Sequence, residues 1–62
     1  MNEEMTQRVK HWCDDNGIAV VRMCSARENV AEAEVRFPTH GTATLMFEAN
    51  GDALDVTMIG VC

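Results

Sequence analysis

Apolar and polar residues alternate through the last third of the chain, on both sides of Asn50-Gly51. This dipeptide favours a two-residue type I′ turn, in which both central residues adopt positive φ. Such a turn fixes which residues of the flanking strands face each other. It predicts Phe47 opposite Leu54, Leu45 opposite Val56 and Ala43 opposite Met58 on one face, with Met46 opposite Asp55, Thr44 opposite Thr57 and Thr42 opposite Ile59 on the other. The first face is suited to burial, and the second mostly to water.

The first seventeen residues carry the pattern of an amphipathic helix. Asn2 is a favourable N-cap, and Asn16-Gly17 is a typical end, with Gly17 in the left-handed conformation. The apolar stripe recurs at i, i+4, i+7 and i+8 and consists of Met5, Val9, Trp12 and Cys13. This spacing places the four side chains on one face of the predicted helix.

Two further strands are predicted between the helix and the hairpin. Residues Val30 to Phe37 alternate cleanly and end at Pro38, whereas residues Ile18 to Ser25 are apolar on both faces, so periodicity does not orient them. With a loop at residues 26–28, the expected pairs are Met23 with Ala31, Val21 with Ala33, Ala19 with Val35 and Arg22 with Glu32. A three-residue loop at 38–40 predicts Val35 opposite Ala43 and Ala33 opposite Leu45, and it avoids placing Glu32 beside Glu48.

The predicted fold is α+β in one domain, residues 1–62, with an N-terminal helix on a four-stranded antiparallel meander of order 1-2-3-4. A helix about 10 Å across cannot cover four strands spaced about 4.8 Å apart. We therefore expect Leu45, Phe47, Leu54, Val56 and Met58 to be only partly covered, with Trp12 reaching part of that area. We expect self-association, most simply as a homodimer, through Leu54, Val56, Met58, Ile59 and Val61, the last two on the open face. The alternative is a monomer whose C-terminal tail covers its own core.

Composition narrows the classes of partner. The chain has 62 residues, is 47 % hydrophobic and carries a formal net charge of −5, and every basic residue precedes Phe37. Direct binding to nucleic acid and to anionic membranes is disfavoured, because both depend on clustered Lys and Arg. The odd set Cys13, Cys24 and Cys62 indicates a reducing compartment. With no signal-peptide pattern, we expect a complete, cytoplasmic chain.

Acidic residues are expected to dominate the open face of the sheet. The derived register brings together Glu32, Glu34, Glu48 and Asp55, with Arg22 and Arg36 as the balancing cations and Asp14 and Asp15 as outlying carboxylates. Such a face can attract a basic partner, although it can also serve solubility alone. These four carboxylates are the predicted partner-binding residues.

The sequence offers little catalytic or metal-binding chemistry. His11 and His40 have no nucleophile, phosphate loop or dinucleotide fingerprint beside them, and the cysteines lack a zinc-type spacing. We expect no enzymatic activity, no cofactor and no metal.

The sequence contains no motif that identifies a protein family, so function is inferred from the predicted surfaces alone. The first hypothesis is a small acidic regulator or inhibitor that docks on another macromolecule with a basic surface, in one form as an acidic mimic of nucleic acid of the phage or plasmid type. The second is a homo-oligomeric small-molecule-binding protein or enzyme, in which His40 and Cys24 meet at the subunit interface.

Overall fold

A computed structural model describes residues 2–61, and the side chains as far as residue 60. It has one helix followed by a four-stranded antiparallel sheet of order β1-β2-β3-β4, which confirms the predicted fold. The elements are α1 (Glu3–Asp15), β1 (Ala19–Arg27), β2 (Val30–Phe37), β3 (Gly41–Asn50) and β4 (Ala53–Val61). The predicted bounds of β2 are confirmed to the residue.

Both predicted ends of α1 are confirmed. The side-chain oxygen of Asn2 accepts a hydrogen bond from the Met5 amide at 2.9 Å, as an N-cap does. At the other end Gly17 has φ 68°, and the Ile18 amide donates to the Cys13 carbonyl at 2.8 Å. This glycine-terminated ending satisfies carbonyls that the last turn leaves without partners. Between the two ends, Met5 and Val9 point into the core.

The pairing of β2 with β3 is also confirmed. Val35 lies opposite Ala43 and Ala33 opposite Leu45, with a three-residue connection at 38–40. All four of these side chains are buried. Their small size on β2 lets the helix approach the sheet closely.

The predicted turn of the last hairpin is wrong, because the turn lies one residue later in the chain. The two central residues are Gly51 and Asp52, and Asn50 pairs with Ala53. Gly51 has φ 63°, whereas neither Asn50 nor Asp52 has positive φ. The turn is therefore of the kind that needs glycine only at its first central position, as in type II′. Asparagine can stay in the strand because glycine alone supplies the unusual backbone angle.

This turn shifts the register of β4 by two residues. Phe47 lies opposite Val56, and Leu45 lies opposite Met58. A shift of two keeps each side chain on its predicted face, because the period of a strand is two. Near its end β4 has a bulge, in which Ile59 is the extra residue. Val61 then pairs with Ala43, so the predicted alternation of Ile59 and Val61 on the open face is wrong. The side chain of Val61 lies outside the described residues.

The orientation predicted for β1 is wrong. The strand runs to Arg27, and two irregularities, between Val20 and Arg22 and between Met23 and Ser25, change which residues face inward. Met23 pairs with Ala33 rather than Ala31, and the predicted partners of Val21 and Ala19 are displaced as well. Each bulge adds a residue, so an apolar run on both faces is divided between core and solvent without strict alternation. Val21 is 47 % exposed as a result.

The helix packs on β1 and β2, at one side of the inner face. Leu45 and Phe47, which were expected to be partly uncovered, are buried at 4 % and 0 % exposure. Trp12 covers Phe47, since its ring meets Phe47 edge to face with centroids 5.5 Å apart. The uncovered part of the inner face is thus confined to β4.

Candidate functional site

The main concave surface of the described residues lies between the helix and β4. This helix–β4 groove has a volume of about 720 Å³. Its lining includes Arg8, His11, Trp12, Asp15, Asp52 and Leu54. It is open to solvent along its length, so it resembles a docking surface more than an enclosed ligand cavity.

The floor beside the groove is apolar. Leu54 and Val56 are half-buried against the core, and Met58 is 53 % exposed. Their side chains alternate onto the inner face because their partners Ala49, Phe47 and Leu45 lie there. A large exposed methionine next to half-buried aliphatic residues is a surface that burial would stabilise.

Arg8 connects the helix to the turn of the last hairpin. Its guanidinium donates to the carbonyls of Gly51 and Ala53 at 3.3 and 3.2 Å. Because these bonds join the helix to the hairpin, Arg8 sets the width of the groove at the end where the hairpin turns. Sequence reasoning did not assign Arg8 any role, and its position on the helix gave no local signal for a contact 43 residues away.

The rim of the groove carries opposite charges with an acidic excess. His11 lies 3.4 Å from Asp15 on the exposed surface of the helix. Asp14 stands in the same turn, and Asp52 adds a carboxylate from the hairpin. Against these three carboxylates stand two cations, Lys10 and Arg8, the second of which also donates to backbone carbonyls. A cationic side chain entering the groove would meet a favourable local field.

The predicted acidic residues lie on the open face but in different rows from those expected. Arg22 pairs with Glu34, not Glu32, through a 3.0 Å contact. Glu32 lies between Ser25 and Met46. The expected pairs of Arg22 with Glu32 and of Met46 with Asp55 are therefore wrong, because the registers of β1 with β2 and of β3 with β4 are both shifted.

Glu48 and Asp55 face each other directly across β3 and β4. Both side chains are exposed. Like charges in opposite positions destabilise a sheet by a few tenths of a kcal/mol. Three arginines, Arg22, Arg27 and Arg36, share this face with the four carboxylates, so its charge is mixed.

The two edges of the sheet are built differently. On β1 the irregularities distort the edge, and the Asn2 amide donates to the Ala26 carbonyl at 2.8 Å. Bulges and covering segments are the devices by which proteins block strand addition. On β4 the pairing with β3 is regular from Ala53 to Met58, and no strand among residues 2–61 lies on its outer side. The free edge therefore coincides with the uncovered apolar floor.

Among the described residues, the histidines and cysteines lie apart from one another. His40 lies in the β2–β3 turn with Nδ1 2.7 Å from the Thr39 hydroxyl, and Cys24 is exposed on β1. Cys13 is buried, and desolvation raises its pKa from the ordinary value of 9.0, so its thiol is a poor nucleophile. Within the described part of the chain, no three His, Cys, Asp or Glu side chains are arranged to hold a metal ion. Cys62 lies outside the described residues.

Comparisons with protein-family models, with curated proteins and with solved structures give no match. Across residues 2–61, α1 is too short and too polar to cross a membrane. Function is therefore inferred from the groove, the open face and the β4 edge.

Proposed function

We propose that the protein is a non-enzymatic interaction module, a self-associating regulator or inhibitor that docks on another protein through the helix–β4 groove. The observation that supports it is the uncovered floor, where Met58 is 53 % exposed beside half-buried Leu54 and Val56. No described element covers the inner face of β4, because α1 packs on β1 and β2.

The space beside α1 suits a second helix. The inner face is closed as far as β3, where Leu45 and Phe47 are buried, so the room for a second helix is the uncovered strip along β4. An amphipathic helix from a partner would lie next to α1, with its apolar face on Leu54, Val56 and Met58. This is the helix-in-groove mode, in which apolar anchors at i, i+3, i+4 and i+7 provide the contact area.

Charge favours a basic partner. The chain carries −5 overall, and the groove lining has three carboxylates against two cations, Arg8 and Lys10. Lys or Arg on the partner's polar face would face Asp14, Asp15 and Asp52. Glu48 and Asp55 are further contacts for basic side chains on the opposite face. Mimicry of nucleic acid receives less support, because arginines interrupt the open-face carboxylates.

The test uses a designed peptide and the protein's own fluorophore. Trp12 is the sole tryptophan and lines the groove, so its fluorescence reports occupancy. The probe is a tryptophan-free Leu/Lys amphipathic helical peptide, and its control is a scrambled peptide of equal charge and composition. We expect a saturable fluorescence change with the amphipathic peptide alone.

Matched variants locate the contact. Met58→Ser should weaken peptide binding at least tenfold, because it removes an exposed apolar side chain from the floor. Val21→Ser changes a comparably exposed apolar residue at the opposite edge and should leave binding unchanged. Equal binding by both peptides, or equal loss in both variants, would contradict the proposal.

A further inference from the structure

The direction of the backbone groups on β4 follows from one hydrogen bond. The Ala49 amide donates to the Asn29 carbonyl at 2.8 Å, toward β2. Amide directions alternate along a strand, so the amides of Asn50, Glu48 and Met46 point toward β4. Their opposite residues on β4, Ala53, Asp55 and Thr57, therefore use their backbone groups within the sheet.

The intervening residues of β4 direct their backbone outward. Leu54, Val56 and Met58 present N–H and C=O groups at the free edge, and the same three residues place their side chains on the uncovered floor. A strand added at this edge would bond to these N–H and C=O groups and would also extend the apolar surface. The partner strand would need alternating residues whose apolar side chains lie on the same face.

We infer that this strand is β4 of a second copy, antiparallel, with Val56 on the twofold axis. This rests on the self-association in the proposed function and specifies its surface and register. Pairing Val56 with its own symmetry mate places Leu54 opposite Met58 of the other copy. In each of these pairs both residues direct their backbone groups toward the other copy, so each N–H group meets a C=O group.

Charge selects this register over its neighbour. With Val56 on the axis, Asp55 faces Thr57 of the second copy. A register with Asp55 on the axis would place two carboxylates directly opposite each other, which is destabilising. Moving the axis to Thr57 would place Asp55 opposite the bulged Ile59 and take the pairing beyond the regular stretch that ends at Met58. The Val56 register uses that stretch alone.

The inferred dimer has a consequence for the open face. The two Asp55 residues become diagonal neighbours across the axis, about 7–8 Å apart. Together with both copies of Glu48 they form one acidic patch on the twofold. On the inner face, the two apolar floors become continuous between the two helices, so two docking grooves meet at the axis.

Cysteine cross-linking tests the register. In a Cys24→Ser/Cys62→Ser background, Val56→Cys should give a covalent dimer with a short bis-maleimide, because opposite Cβ atoms lie about 5 Å apart. Leu54→Cys and Met58→Cys should each fail alone, since like residues are then more than about 13 Å apart along the strands. A mixture of the two should cross-link. Solution mass is measured in parallel by light scattering.

The outcomes separate this inference from the proposed docking function. A dimer by mass that cross-links in the Leu54→Cys or Met58→Cys variant alone, and not through Val56→Cys, would overturn the register. A monomer at every concentration would overturn the dimer, while the peptide titration would still decide docking independently. As a second variant, Val56→Pro removes an outward amide that the β3 pairing does not use, so a folded monomer is expected. A Val56→Pro dimer would contradict the inferred edge.

Discussion

Trp12 meets Phe47 edge to face, with ring centroids 5.5 Å apart and ring planes at 74°. This contact marks the limit of the helix's coverage of the sheet. On one side of it the core is closed, with Phe47 fully buried, and on the other side Met58 is exposed. The boundary between core and docking surface is thus set by a single indole ring.

The turn of the last hairpin depends on Gly51. Its φ of 63° is strained for any residue with a Cβ, and no atom blocks the added group, so the cost is conformational. Gly51→Ala should lower the free energy of unfolding by about 1–2 kcal/mol, measured by urea denaturation. Asn50→Ala is the matched control and should change it by less than about 0.5 kcal/mol. Comparable losses in both variants would instead indicate the type I′ turn.

Opposite effects are expected from two glutamates on the open face. Glu48→Gln removes a like-charge pair with Asp55 and should stabilise the fold by a few tenths of a kcal/mol. Glu34→Gln removes the partner of Arg22 and should destabilise it by a similar amount, since the pair is partly solvated. Both effects should shrink in high salt. Thermal unfolding of the two variants at low and high salt measures this, and effects of the same sign would refute the observed rows.

Arg8 should hold the helix and the last hairpin together. Arg8→Ala removes two hydrogen bonds to the carbonyls of Gly51 and Ala53 and should cost about 1 kcal/mol of stability. The hairpin amides should also exchange faster with solvent, because the groove end loosens. Lys10→Ala, on the exposed side of the same helix, is the control and should leave both quantities unchanged. Identical behaviour of the two variants would contradict the bridging role.

The pH dependence of Cys13 follows from its burial. Its raised pKa means that the folded state keeps the thiol protonated where the unfolded state loses the proton. The contribution of Cys13 to the free energy of unfolding is complete below pH 9.0, the ordinary pKa of the thiol, and is lost as the pH rises above that value. With a thiol reagent near neutral pH, the exposed Cys24 should react rapidly and Cys13 only through unfolding. Rapid labelling of Cys13 in the folded protein would show that the core is open there.

Local sequence patterns predicted the helix and the strands, whereas contacts between residues far apart in the sequence determined the strand registers. The caps of α1 and the alternation of β2 depend on neighbours in sequence, and both were predicted to the residue. Either Asn50 or Gly51 could have been the first central residue of the turn. Because it is Gly51, Asp55 lies opposite Glu48 rather than Met46. For β1, bulges at Val21 and Cys24 replaced alternation, and no local signal marks a bulge in an apolar run.

The candidate site was predicted in part for the same reason. The shortfall in helix coverage followed from the widths of helix and strand, so Leu54, Val56 and Met58 were placed correctly on the inner face. The groove itself depends on Arg8 reaching across to the hairpin, a contact that sequence spacing does not reveal. The acidic rows depended on two registers. The error between β1 and β2 placed Arg22 opposite Glu32 instead of Glu34, and the error between β3 and β4 placed Asp55 opposite Met46 instead of Glu48.

Amide hydrogen exchange at low and high protein concentration most directly tests the proposal that the chain associates through the β4 edge. The outward amides of Leu54, Val56 and Met58 should exchange freely when dilute and become protected as concentration rises. The amide of Val21, at the bulged opposite edge, should show no such dependence. Concentration-independent exchange of the three β4 amides, or protection that appears on β1 instead, would contradict the account.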